Sequence, residues 1–425
     1  MAVHAALSFS AWAGVPAPGD SVLIVRAIEV RGNETTVDRV ILREMALQVG
    51  DTLTQAAIDD DEHHIYNLGL FNKVDITYTA EEKAATVYVT VSERWYIFPY
   101  PVFGFRYRDI KKIFYGAGIV HQNFRGRNEK LSCSFALGYD QWVSLVYQNP
   151  KLTDGDDVFF RLQAGYQNLH SLSEVGGEYL QKNSFLSLSL GERFGLYQTL
   201  VGTLGYEVWQ VSDPLLGRSL SPSGRDAFPT FGVRYTYDSR DVREYATDGS
   251  FAALSVMKSG FGGTDVDILT YGFDLRTFIP VWQDAALGFR SFGSFTVGGS
   301  VPTYRHVFYG YDERLRGYFS EVMEGEDILG GNVELRIPIF SPRYIQADII
   351  PIPQFNTLRY GLYLGIFADV GQTWYRNQSP WNRQFLSGYG AGLQFILPYG
   401  VVVRPEFALN NAGVGEFFID FGASF

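Results

Sequence analysis

The last strand-like stretch of the chain alternates without a break. Phe417, Ile419, Phe421, Ala423 and Phe425 fall on one face, and Glu416, Phe418, Asp420, Gly422 and Ser424 on the other. A side-chain period of two means a strand with two different environments. The pattern recurs upstream. Leu362, Leu364, Ile366, Ala368 and Val370 oppose Tyr363, Gly365, Phe367, Asp369 and Gly371, and Val333, Leu335, Ile337 and Ile339 oppose Asn332, Glu334, Arg336 and Pro338. A soluble β-sandwich alternates in the same way. From Trp95 onward, however, about sixteen such segments follow one another, each near the length that crosses an outer membrane when tilted. Their centres run from Phe103, Ile119 and Phe135 through Leu254 and Leu335 to Val403 and Ile419. This many long alternating strands predicts one antiparallel transmembrane β-barrel over 95–425, with one face in lipid and the other in a wet lumen.

Composition agrees. Aromatics make up 16% of the chain and glycine numbers 45. Charged residues are only 19%, yet no run of about 18 apolar residues exists to form a membrane helix. The net charge of −11 argues against nucleic acid as a partner, because phosphate backbones are held by excess Lys and Arg. Cys133 is the only cysteine, so it forms no intrachain disulfide and reads as a packed thiol. The start, Met1 to Ala13, has a short apolar stretch before Ala11-Trp12-Ala13. It reads as a leader remnant or tail over 1–20.

Residues 21–93 read as a separate α/β domain of order β-α-α-β-β. Val22–Val30 is a β-prone run ended by Gly32-Asn33. Thr36 is placed to cap a helix with Val37, Val40, Ile41 and Met45 on its apolar face, ending at Gly50. Thr54 is placed to cap a second helix bearing Ala57, Ile58, Ile65 and Leu68, and His63-His64 reads as its solvent-facing side. Val74, Ile76 and Tyr78, then Val87, Val89 and Val91, mark two alternating strands.

The most specific stretch is Tyr311-Asp312-Glu313-Arg314-Leu315-Arg316-Gly317-Tyr318-Phe319. Residues 299–328 are too polar and glycine-rich for a strand, so this stretch lies in a long loop between two spanning strands. A hydrophobic residue followed by Arg-Gly-aromatic in such a loop resembles the Omp85 superfamily. The α/β segment, with Arg31-Gly32-Asn33 and Leu68-Gly69-Leu70-Phe71, resembles a single POTRA domain. The resemblance implies that the loop folds into the lumen and that Arg316 pairs with the barrel wall. Asp369, on the lumenal face, resembles the family's acidic wall residue, and Glu334 is a second candidate. A buried guanidinium without acceptors costs several kcal/mol, and Gly317 allows close approach. Tyr237-Asp238-Ser239-Arg240-Asp241, completed by Asp248-Gly249, resembles a second motif of the family, a charged hairpin.

Pro99 and Pro101 lie in the first barrel strand. Proline lacks the ladder donor and belongs on edges. Closure would bring this strand against the last one, near Phe421 and Phe425, so the seam there is expected to be weakly laddered. The aromatic end at Phe425 fits a strand read by an outer-membrane assembly machinery.

No His-Glu-x-x-His, Gly-x-Ser-x-Gly or P-loop occurs, and no enzyme, cofactor or metal is expected. Asp154–Asp157 reads as a solvated turn rather than a Ca²⁺ site. The resemblance implies a protein of the bacterial outer membrane, with its POTRA domain in the periplasm. It would handle unfolded outer-membrane or secreted polypeptides, by insertion or translocation, with chaperones or accessory proteins reaching the POTRA domain. A two-partner-secretion-type pore and a passive porin are the alternatives.

Overall fold

The computed structural model describes residues 22–106, 109–153, 157–282, 284–310, 313–319, 321–346, 352–380 and 385–425. The expected leader at 1–20, Asp154 to Asp156 of the acidic turn, and Tyr311 and Asp312 of the loop motif lie outside the described residues.

The small domain comprises β1 (Ile24–Arg31), α1 (Asp38–Leu42), α2 (Gln55–Tyr66), β2 (Phe71–Glu81) and β3 (Ala84–Glu93). Its sheet order is β1-β3-β2, with β1 parallel and β2 antiparallel to β3. The core is made by the alternating apolar faces of the sheet, including Val74, Ile76, Val87 and Val89, closed by Val40, Ile41, Ile58 and Ile65 from the helices. Burying a side chain of this size stabilises by about 1.5–3 kcal/mol. Thr54 caps α2 through its hydroxyl, which accepts from the Ala57 N–H at 3.2 Å.

Three expectations for this domain fail locally. Thr36 does not cap α1, which begins after Val37 and has no side-chain cap. Its hydroxyl is instead engaged by Tyr96 (3.0 Å) and Asn123 (2.8 Å). α1 ends at Leu42, well before Gly50, although Met45 is still buried in the core. His64 is not solvent-facing; it packs edge-on against Tyr197 of the barrel, 5.4 Å between ring centres.

The rest of the chain forms one sixteen-stranded antiparallel sheet. Its strands are β4 (Ile97–Phe105), β5 (Ile113–Phe124), β6 (Glu129–Gly138), β7 (Gln141–Asn149), β8 (Val158–His170), β9 (Leu180–Phe194), β10 (Gln198–Val211), β11 (Arg225–Asp238), β12 (Gly249–Ser259), β13 (Ile268–Trp282) and β14 (Ala285–Gly298). After a long loop come β17 (Asp327–Gln346), β18 (Thr357–Trp374), β19 (Leu386–Leu397), β20 (Val401–Asn410) and β21 (Gly415–Phe421). The loop carries a short hairpin of its own, β15 (Val307–Tyr309) with β16 (Met323–Gly325). The loop expected to be wholly irregular is therefore partly paired. Every segment read as a strand from its alternation is one. Outward positions such as Phe103, Leu204, Phe417 and Phe421 are exposed, and inward positions such as Glu334, Arg336, Phe367 and Asp369 are buried. A continuous apolar outer band is what a lipid solvent demands. Among the described residues no helix is long and apolar enough to cross a membrane. Cys133 is exposed on this outer surface rather than packed.

The sheet runs from β4 to β21 and stops; no ladder joins these two strands among the described residues. Pro99 and Pro101 lie inside β4, paired on one side with Ile119 and Ala117 of β5. Phe425 departs from the expected outward face. β21 ends at Phe421, Gly422 takes φ +89°, and the chain turns inward. Phe425 is then buried against Phe278 and Ala246.

Candidate functional site: the lumenal loop, the wall and the docked domain

The loop after β14 folds back into the barrel, and Leu315-Arg316-Gly317-Tyr318 is buried. Leu315 packs with Phe292, Tyr309, Tyr318 and Ile328, a small apolar cluster that seats the loop against the wall. Gly317 has φ +94°, and a Cβ there would meet the backbone of Leu409 and Asn410 at 3.2 Å. Gly388 serves the wall in the same way: a Cβ on it would lie 1.8 Å from the Arg316 carbonyl oxygen.

These approaches bring Arg316 onto three acidic wall residues. Its Nε and Nη2 donate to Asp369 at 2.7 and 2.6 Å, and Nη1 donates to Glu334 at 2.7 Å. Glu406 lies 3.7 Å from Nη1. The guanidinium also sits 3.7 Å from the centre of the Phe367 ring. Both wall candidates thus meet Arg316, in a fork geometry that a lysine cannot reproduce.

Alternation placed Arg336 on the lumenal face but gave it no partner, and Glu406 and Arg404 carried no local signal. All three belong to the same network. Arg336, fully buried, donates to Glu334 at 3.0 Å and to the Ala246 carbonyl at 2.6 Å. Ser424 donates to Glu334 at 2.7 Å. Arg404 bridges Glu406 (2.8 Å), Asp420 (3.1 Å) and the Gly422 carbonyl (2.7 Å). Arg314 donates to Asp420 at 2.7 Å and is only half-buried. The Phe319 N–H donates to Glu416 at 2.6 Å, and its ring stacks on Phe418. Loop tip, β17, β18, β20 and β21 are therefore tied into one charge-compensated unit. Such a network is stabilising to the extent that its members are satisfied, because a lone buried charge costs several kcal/mol; Glu406 Oε2 is buried without a hydrogen-bond partner among the described residues.

The charged hairpin between β11 and β12 lies at the end of the barrel that carries the small domain. Asp238 accepts from Arg240 at 2.8 and 3.0 Å and pairs with Arg243 at 2.9 Å. Asp241 accepts the Thr247 N–H. Gly249 has φ +91°, and a Cβ would lie 2.1 Å from the Ser239 carbonyl oxygen. The hairpin's backbone is bound by Asn67, which follows α2. Its amide donates to the Asp241 carbonyl at 2.7 Å and accepts from the Arg243 N–H at 2.8 Å. Glu244 accepts from Arg94 and Tyr66, both at 3.1 Å. Asn72 donates to the Gln354 carbonyl at 2.6 Å.

Glu44 is a further clamp, taking two 2.8 Å bonds from Arg193. Burial alone would push its carboxyl up, but Arg193, Arg43 and Arg243 outweigh that and hold it below the usual carboxylate range. None of these docking residues had a sequence signal beyond a polar residue near a turn.

The Omp85 superfamily domain model matches residues 123–425, and the model described as surface antigen variable number repeat (POTRA) matches residues 23–94. The chain is 22% identical over 389 residues to an outer membrane protein assembly factor BamA from Nitratidesulfovibrio vulgaris, covering 88% of this chain and 47% of that protein. It is 25% identical over 413 residues to the BamA of Neorickettsia risticii, covering 89% and 51%. The chain thus spans about half the length of the curated relatives it matches. Among solved structures, the Haemophilus ducreyi BamA lacking POTRA domains 1-3 shares the fold at TM-score 0.55 and 18% identity, covering 94% of this chain and 84% of that one. CdiB from Escherichia coli does so at TM-score 0.60 and 12% identity, covering 94% and 75%. With its family model matched across most of the barrel and a POTRA model across the domain before it, the chain belongs to the Omp85 superfamily.

Proposed function

We propose that this chain works in a bacterial outer membrane, with its POTRA domain in the periplasm, and inserts β-barrel clients or passes polypeptide across. The step is non-covalent. The single observation that carries the reading is the open seam: β4 and β21 bound one sheet and share no ladder among the described residues. A strand edge inside a membrane demands a backbone partner. A client strand supplies one through main-chain hydrogen bonds that tolerate many sequences. In this account Pro99 and Pro101 keep β4 from acquiring a full ladder with β21. Arg314, Arg316 and the wall carboxylates hold the loop and β21 as one body while the seam opens.

A second edge is β2 of the POTRA domain, where unfolded clients or periplasmic accessory proteins would dock. One donor of that edge is already used, since the Ile76 N–H donates to Glu62 at 2.7 Å. An incoming strand therefore displaces Glu62 or pairs beside it. A passive porin fits less well, because the loop tip fills part of the lumen.

Insertion of urea-denatured barrel substrates into liposomes, with and without the purified full chain, tests the reading. Acceleration of client folding is expected. No acceleration, together with a steady open-channel current in planar bilayers, would favour the porin.

A further inference from the structure

Where the POTRA domain meets the barrel, a cavity of about 420 Å³ separates the two, within the size of many ligand sites, roughly 300–1,000 Å³. Its wall is lumenal. Lys130, Arg193 and Thr199 line it, and the residues next to them in their strands, Leu131, Phe194 and Leu200, point outward and are exposed. Lipid headgroups outside the barrel therefore do not reach it.

Its electrostatics are opposite to those of the chain, which carries −11 overall. Two carboxylates are shared among four guanidiniums. Glu44 binds Arg193 and Arg43, and Asp238 binds Arg240 and Arg243. The third lining carboxylate, Asp157, is taken by Lys151 at 2.7 Å. Lys130 also lines the cavity and has no carboxylate partner among the described residues. His64 also lines the cavity, its Nδ1 3.6 Å from the Asp61 carboxylate and without a hydrogen bond. Positive charge is left uncompensated in a partly enclosed space, where it is screened less than at an open surface.

We infer that this vestibule binds side-chain carboxylates of an acidic polypeptide segment entering the lumen from the POTRA side. The inference rests on the reading of this chain as a handler of polypeptides. Arginine forks match carboxylates in geometry as well as charge.

The probes are labelled hexaglutamate, hexaglutamine and hexalysine peptides, titrated by fluorescence anisotropy against the full chain folded in detergent. Hexaglutamate is expected to bind more tightly than the other two, and to weaken as salt is raised. The double substitution Lys130→Gln with Arg243→Gln changes two exposed cations and leaves the buried Glu44–Arg193 pair intact. It should weaken hexaglutamate binding about threefold to tenfold, while Lys258→Gln at the far end of the barrel leaves it unchanged. Equal binding of hexaglutamine, or an unaltered affinity in a double variant that keeps its heat-modifiable migration, would overturn the site. Client insertion measured on the same preparations separates the two claims. Insertion without acidic preference removes the site alone, and acidic preference without insertion removes the functional reading.

Discussion

Replacing Arg316 by alanine removes one guanidinium from the two carboxylates it hydrogen-bonds, and the structure says which one suffers. Glu334 keeps Arg336 at 3.0 Å and Ser424 at 2.7 Å. Asp369 is left with a single backbone donor, the residue-316 N–H at 3.2 Å, in a position only 3% exposed. Breaking a buried pair by deleting one partner costs about 3–5 kcal/mol. Applied to loop docking, that raises the undocked population by roughly two to four orders of magnitude. Limited proteolysis of the folded barrel reads this directly, as faster cutting within 299–326. Arg316→Lys should fall between wild type and alanine, since it keeps the charge but loses the fork. Arg314→Ala removes a half-exposed pair, worth at most about 1 kcal/mol, and should cut at nearly the wild-type rate. Equal protease resistance of Arg316→Ala and wild type would refute the claim that this residue holds the loop.

Gly317→Val should undock the same loop by about 1–3 kcal/mol, with faster cutting but unchanged barrel migration, because φ +94° strains a β-branched residue and its Cβ would press on the Leu409 and Asn410 backbone at 3.2 Å. Asn67→Ala should raise hydrogen exchange in the hairpin at 239–248 while the POTRA core stays protected. Glu44 has a folded-state pKa below its ordinary value of about 4.3. Its contribution to POTRA docking is therefore complete above that value and is lost as pH falls through the depressed one. Cross-linking between the POTRA domain and the barrel should loosen on acidification, and Glu44→Gln should remove that part of the pH dependence.

Most of the architecture was legible because a strand with lipid on one side and water on the other writes its register into every second residue. That is why the alternation alone places Asp369 and Glu334 on the lumenal face. What stayed hidden depended on contacts far apart in sequence. Thr36 has the local chemistry of a helix cap, but Asn123 from β5 and Tyr96 claim its hydroxyl. Phe425 continues the outward alternation on paper. The turn at Gly422 and the Arg336 guanidinium, whose Nη2 lies 3.5 Å from the Phe425 carbonyl oxygen, carry it inside. Arg404 and Glu406 lie in a strand with no motif; they pair with each other, Asp420 of the next strand engages Arg404, and the fold-back of a loop some ninety residues upstream brings Arg316 to Glu406. The docking role of Asn67 was invisible for the same reason, since an Asn after a helix is ordinarily a cap.

The central claim is that the seam between β4 and β21 is where clients are templated. Cysteine pairs placed across it, Phe103→Cys with Phe417→Cys and Pro99→Cys with Phe421→Cys, in a Cys133→Ser background, test that claim by oxidation. The locked protein should keep its heat-modifiable barrel and lose client insertion into liposomes, and reductant should restore it. Full insertion by the locked barrel would contradict the account and leave β2 of the POTRA domain as the templating edge.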